Sequence, residues 1–408
     1  MDSISLTAYR RFILGCQGLW PGRRWAGKTG TAEALRAAES VQVDPVAVVA
    51  QSHDIALWGR VADYRPEYLQ ELLYQDRQFF DYGGALFIYP VEEFSYWMVE
   101  MKRRAAAPHW REYIKDNPKL FEQVRAEMRA RGPLGTRDLP GERVDRYRSS
   151  KDSGYAMYCL WITGELTIHS RKGRDRVYDF TDKLIPAQYL HAVPEAEAVD
   201  FFINKAIAQY GFVNEREFAA IWKSATELPR DAAAIKNKLN ELLESGRVAC
   251  VRREDSGETL YYPASRKPLL EDLASGRVPA AWQPLGATSE EEVVFLSPLE
   301  FVSARGRAKK IFGFDYTWEI YKPAHTRRFG PYTMPVLYGD QLVARTDMRV
   351  DRVAGALHIN GLWLEERFMP TKEFWMAFNR GLLGFIHLLN VDKVDQVQLD
   401  HPISILNI

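Results

Sequence analysis

Two stretches, LWITGELTIHSR from Leu160 and LLESGRVACVRR from Leu242, follow one plan: an apolar helix end, a glycine, then an apolar strand finishing in arginine. A chain that repeats this unit is limited to folds in which a helix hands directly to a hairpin. Around the first copy, KLFEQVRAEMRARG reads as a helix stopped by Gly132. Ala156, Met157, Leu160 and Trp161 recur at helical spacing, and Gly164 ends that helix. LTIHSR and RVYDF are then joined by Lys172, Gly173 and Arg174. Around the second copy, EAEAVDFFINKAIAQYG, VNEREFAAIW and DAAAIKNKLNELLESG read as helices, and Asp255-Ser256-Gly257 turns VACVRRE into TLYYP. Helix, turn, helix, hairpin is the winged-helix order, so the repeat predicts tandem winged-helix modules.

The 408 residues exceed one ordinary core. The patterns predict an α+β multidomain fold, with three tandem winged-helix (helix-turn-helix) modules and a C-terminal β-rich domain. Their expected bounds are 1–115, 116–192, 193–285 and 286–408. The first segment opens with a helical pattern from Leu6 to Leu19 and a basic turn from Pro21 to Lys28. Thr31 is expected to cap a helix over Ala32 to Glu39, and a further helix is expected from Pro66 to Asp76. Between them lies SVQVDPVAVV, β-branched and interrupted by Pro45, which biases Asp44 away from helical angles. In the last segment WEIYKPA, YTMPVLYG, QLVARTDMRVDR and ALHINGLWLEE are expected as consecutive strands, closed by a helix over KEFWMAFNRGLLGFIHLLN.

Charge excludes one shortcut. Fifty-four basic residues balance 54 acidic ones, so a nucleic-acid role must rest on local clusters. The clusters are Arg23, Arg24 and Lys28; Lys102, Arg103, Arg104 and Arg111; Arg171, Lys172, Arg174 and Arg176 on the first wing; Arg305, Arg307, Lys309 and Lys310; and Arg327 with Arg328. Basic groups on a wing tip are placed to meet phosphate. Cys16, Cys159 and Cys250 form no CxxC pair, which argues against a disulfide framework or a zinc site and fits a reducing cytosol. The HExxH and glycine-rich phosphate signatures are absent too, so neither a metal nor an organic cofactor is expected. The first residues lack the apolar core of a signal peptide, and no apolar run reaches the ~20 residues of a membrane span. A cytoplasmic monomer that does not engage membranes is expected.

Three blocks carry a resemblance to a known family: VQVDPVAVVAQSHDIALWGRVADYRP at 41–66, SSKDSGYAMYCLWITGELTIHSRKGRDRVYDFTDKLIP at 149–186, and FLSPLEFVSARGRAKKIFGFDYTWEIYKPAHTRRFGPYTMPVLYG with its continuation at 295–366. Together they resemble the winged-helix DNA glycosylases of the AlkZ/AlkX (YcaQ-like) group, which remove N7-alkylated purines and unhook interstrand crosslinks. The resemblance implies a monofunctional glycosylase acting on double-stranded DNA that carries alkylated or crosslinked bases. It implies Gln42 and Asp44 as the catalytic pair, in a Gln-hydrophobic-Asp version similar to the broader-specificity branch. Tyr82-Gly83-Gly84 and Gln51-Ser52-His53-Asp54 depart from the family's usual Trp-Ala-His and basic-plus-histidine runs, which bears on substrate preference.

The residue types suit the reaction. Cleaving an N-glycosidic bond passes through an oxocarbenium-like state, and N7 alkylation already makes the purine a cationic leaving group. A carboxylate near the sugar stabilises that charge and orients or deprotonates a water. Asp44 supplies the carboxylate; Gln42, two residues earlier, faces the same side if the segment is extended, and its amide both donates and accepts. A covalent lyase route would need an amine, and no lysine stands beside the motif. His53 is a candidate for phosphate contact or for shaping the site, and equally an ordinary helix histidine. Two rival readings stay open: a non-enzymatic winged-helix regulator, which has no need of the 42/44 pair, and a lesion sensor that binds without cutting.

Overall fold

The computed structural model describes residues 3–44, 46–146, 149–173 and 175–396. Pro45 and Arg174 therefore lie outside the described residues. The fold is mixed α+β, and the chain forms two compact units, Met1–Tyr68 with Ile203–Ile408, and Leu69–Phe202.

The larger unit begins with the helix Leu6–Cys16, started by Ser5, whose hydroxyl accepts from the Ala8 amide at 3.2 Å. Its apolar face seats Phe12 against Phe212 at 4.5 Å and edge-on to Tyr262 at 5.9 Å. Those partners come from the second repeat. There the helix Glu215–Thr226 is opened by a reciprocal capping box of Asn214 and Glu217, and Asp231 caps the helix Ala232–Glu244. The strands Val248–Arg253 and Thr259–Pro263 follow as an antiparallel hairpin, with Gly257 at φ +68° in its turn. The strand Ser3–Ile4 adds to it in parallel, so the N-terminus and the second hairpin share one small sheet.

The C-terminal part is a curled β half-barrel in the order Val293–Phe295, Thr333–Tyr338, Gln341–Asp351, Ala356–Leu364, Lys393–Gln396, with only the last pair parallel. The helix Lys372–Leu389, capped by Thr371, packs on it through Phe378 and Phe385, 5.5 and 5.2 Å from Phe295. Gly381 permits that approach: a Cβ there would sit 2.6 Å from the Val293 carbonyl oxygen.

In the smaller unit the hairpin Phe79–Tyr82 and Phe87–Pro90 leads to the helices Phe94–Ala106, Pro108–Asp116 and Pro118–Arg131. Gly132 stops the last of these at φ +84°, as its sequence predicts. The helix Asp152–Ile162 is buried from Ser153 to Ile162, apolar on every side rather than on one face. It hands through Gly164 to the hairpin Leu166–Lys172 and Asp175–Phe180.

Two local expectations fail. Thr31 caps nothing: the helix runs Gly27–Ala37, and the Thr31 hydroxyl donates back to the Gly27 carbonyl at 2.8 Å from inside it. WEIYKPA is not a strand, because the Glu319 carboxylate accepts from the backbone amides of Arg328 and Phe329, both at 2.9 Å, and folds the segment into a closed loop. The strands Val293–Phe295 and Lys393–Gln396 were not expected.

Candidate active site and DNA-facing residues

Gln42 ends the two-residue strand Val41–Gln42, and Asp44 stands two residues on, in the segment leading to the helix Ser52–Trp58. Both are half-buried. The Asp44 Oδ1 accepts from the Val46 amide at 2.7 Å, which fixes the carboxylate against its own turn. The Gln42 Oε1 accepts from Arg305 Nη2 at 2.9 Å, so a guanidinium more than 260 positions away meets the motif.

The loop after Asp44 is pinned by the C-terminal part. The Val350 amide donates to the Val48 carbonyl at 3.2 Å, Arg352 Nη2 to the Val49 carbonyl at 3.1 Å, and the Tyr332 hydroxyl to the Ala50 carbonyl at 3.4 Å. Arg352 also donates to the Leu389 carbonyl at 2.8 Å, tying the loop to the end of the closing helix. Tyr332 is fully buried. Burial, with the negative charge of Asp44 adding to it against a Ser52 hydrogen bond, pushes its hydroxyl pKa up to about 12. The phenol therefore stays a neutral donor across the physiological range.

Behind the loop the helix Ser52–Trp58 is buried along its whole length, His53 included. The His53 Nε2 lies 3.9 Å from Asp54 Oδ2, and Asp54 Oδ1 accepts the Tyr64 hydroxyl at 2.7 Å. His53 is thus a packed histidine with an acidic neighbour, in the first turn of the helix that follows the motif loop. The helix is held from below by Arg60, whose fork meets both Glu300 oxygens at 2.8 Å and whose remaining donors reach the Ala56 and Gln17 carbonyls at 2.7 Å.

The basic residues divide into those engaged inside the protein and those on its surface. Arg23 pairs with Glu292 at 2.5 Å, donates to the Trp58 carbonyl at 2.9 Å and lies over the Trp58 ring. Arg24 is sandwiched near Trp25 and Trp282, and burial lowers its pKa to about 10. Lys28 sits half-buried in the first turn of the helix Gly27–Ala37. On the first hairpin, Arg171 turns inward to Asp81 and to the Tyr74 hydroxyl, and Arg176 lies over Trp161 at 4.7 Å. Burial opposes the Arg171 charge, but Asp81 and Tyr74 outweigh it and raise its pKa. Lys172 is exposed at the hairpin tip. Arg307 packs between Tyr210 and Phe301, Lys310 pairs with Glu217 at 2.6 Å, and Lys309 is exposed. Arg327 donates to the carbonyls of Ile320 and Lys322, whereas Arg328 is exposed over Phe329. The larger unit thereby brings Gln42, Asp44, Arg305 and Tyr332 together. Tyr332 and Arg352 were invisible as site residues in the sequence, since nothing local distinguishes them from strand residues.

Among the described residues no group of three or more His, Cys, Asp and Glu side chains is placed to hold a metal ion, and no helix is long and apolar enough to cross a membrane. Residues 35–382 match the family profile of AlkZ-like DNA glycosylases. The fold is similar to that of the DNA glycosylase AlkZ of Streptomyces sahachiroi, at a TM-score of 0.62 and 15% identity over 97% of this chain and 100% of that one.

Proposed function

The chain belongs to the AlkZ-like DNA glycosylase family, and from that premise we propose that it hydrolyses the N-glycosidic bond of N7-alkylated purines in duplex DNA, including purines held in interstrand crosslinks. The observation that carries this reading is the clamp beside the motif: Gln42 and Asp44 stand just before a loop whose carbonyls at Val48, Val49 and Ala50 accept in turn from Val350, Arg352 and Tyr332 of the C-terminal part. Clamping of this kind is what a carboxylate needs in order to face a developing oxocarbenium ion without reorganising.

In the proposed reaction the bond between C1′ and the base nitrogen breaks, and the cationic purine leaves as a neutral base with the bonding electrons. Asp44 stabilises the charge left on the sugar. A water held by the Gln42 amide attacks C1′ and passes a proton to the Asp44 carboxylate. The products are an abasic site and the free base. Arg305 orients Gln42 through its Oε1.

The two helix–hairpin repeats and the N-terminal segment are read as three winged helices. Lys172, Lys309 and Arg328, exposed, are assigned to phosphate. Arg23, Arg24, Arg171 and Arg176 are assigned to holding the scaffold, because their charges face Glu292, Asp81 and aromatic rings. Lys310 and Arg327 are likewise assigned to the scaffold, because they face Glu217 and the carbonyls of Ile320 and Lys322. His53 is assigned to supporting the loop from behind rather than to phosphate, because it is buried. The test is a panel of duplexes bearing N7-methylguanine, a bulkier N7 adduct or an N7-linked crosslink, scored by alkaline scission at abasic sites. Excision of the monoadducts and unhooking of the crosslink are expected. Release of the monoadducts alone would confine the activity to base excision, and no release from any substrate would overturn the proposal.

A further inference from the structure

We propose that Tyr321 is a stacking wedge, an aromatic side chain that enters the base stack of duplex DNA beside the damaged nucleotide. The inference rests on the glycosylase reading above and adds a residue that opens the substrate. Among the described residues Tyr321 is the one aromatic side chain that lies in the open, 80% exposed, while the others are buried or half-buried. Exposure alone is ordinary for a single side chain; what sets Tyr321 apart is the closed loop that presents it and the rings beneath it.

Its loop is built to hold it there. The Glu319 carboxylate, itself buried, accepts from the amides of Arg328 and Phe329 at 2.9 Å and from Lys322 Nζ at 2.9 Å. Arg327 closes the loop from within by donating to the Ile320 and Lys322 carbonyls at 3.2 and 3.0 Å. Tyr321 meets Trp318 edge-on at 5.6 Å, and Trp318 meets Tyr332 edge-on at 6.2 Å. Tyr332 is the ring whose hydroxyl reaches the Ala50 carbonyl in the motif loop. Two ring contacts therefore connect the exposed tip to the clamp on Asp44. Lys322, paired with the inward-pointing Glu319, and Arg328, over Phe329, are exposed on this loop, and with Arg327 they give it two positive charges more than its one acid. A cationic rim around a bare ring fits a polyanion with π-faces, which is nucleic acid, and base–aromatic stacking tolerates any sequence.

The experiment uses the full chain with Tyr321→Ala, Tyr321→Phe and Tyr321→Trp. A duplex carries 2-aminopurine beside N7-methylguanine, so that unstacking is read as a rise in fluorescence whether or not the bond is cut. The wild type and the two aromatic variants are expected to raise the fluorescence, and Tyr321→Ala to lose most of the rise. Single-turnover excision from duplex is expected to fall ~10-fold in Tyr321→Ala, with little change on the same lesion in a single strand. Unstacking by Tyr321→Ala equal to wild type, or no unstacking by the wild type itself, would overturn the wedge. A wild type that unstacks the duplex and releases no base would instead overturn the glycosylase reading and leave the wedge standing.

Discussion

Replacing Arg60 by methionine is expected to unsettle the larger unit far more than a surface arginine would. Its side chain and that of Glu300 are each only 2% exposed, and the fork meets both carboxylate oxygens at 2.8 Å. Methionine fills much of the volume but leaves the carboxylate buried, with the Phe301 amide, 2.9 Å from Oε1, as a remaining donor. The carbonyls of Gln17 and Ala56 lose a donor as well. Removing one partner of a buried pair costs about 3–5 kcal/mol, whereas replacing both by apolar groups is often neutral. In a unit of this size 1 kcal/mol corresponds to ~2 °C, so the midpoint of Arg60→Met should fall by about 6–10 °C. The double variant Arg60→Met with Glu300→Leu should recover most of that loss. Thermal unfolding followed by circular dichroism compares wild type, both single variants and the double. A single variant that melts within 2 °C of wild type, or a double variant no better than Arg60→Met, would refute the reasoning that an uncompensated carboxylate is the dominant cost.

Two further predictions concern the loops around the motif. Arg352→Ala removes the bond to the Val49 carbonyl, and single-turnover excision should drop ~10-fold or more while DNA affinity stays near wild type; equal loss in affinity would point to a contact with DNA instead. Glu319 is subject to burial, which raises its pKa, but the Phe329 amide, Lys322 and the Gly330 amide outweigh it and hold it below the ordinary 4.5. A depressed folded pKa contributes stability that is present above the unfolded value and is lost as pH falls through the folded one. Glu319→Gln should therefore be less stable than wild type at neutral pH, with the gap closing as pH falls below about 4.5; urea unfolding at several pH values reads this, and a gap that widened in acid would contradict it.

Much of the local structure was legible in the sequence because its causes are local. Gly132 and Gly164 ended their helices, and Gly257 turned its hairpin, because each adopts a positive φ that other residues resist. The Gln42-Val43-Asp44 tripeptide stood out only because two further long blocks, at 149–186 and 295–366, follow it in the expected order. What was not legible depends on distant partners. Thr31 has the chemistry of a cap, yet the helix begins at Gly27 and absorbs its hydroxyl. WEIYKPA has the alternation of a strand, yet Glu319 reaches the amides near 328–330 and wins the backbone. Arg23 and Arg171 read as surface charge, since no short-range signal announces Glu292 or Asp81 as partners. The clamp on residues 48–50 comes from Tyr332, Val350 and Arg352, some 300 positions away, where pattern reading has no reach.

The central claim is that a clamped Asp44 carries out hydrolysis of the N-glycosidic bond. The most direct measurement is single-turnover release of N7-methylguanine from duplex DNA by wild type and Asp44→Asn, alongside their affinities for the same duplex. The amide keeps the size of the side chain and an oxygen able to accept from the Val46 amide. Wild type should release the base, and Asp44→Asn should bind the duplex comparably yet release base at least ~100-fold more slowly. Release by Asp44→Asn at the wild-type rate would contradict the account.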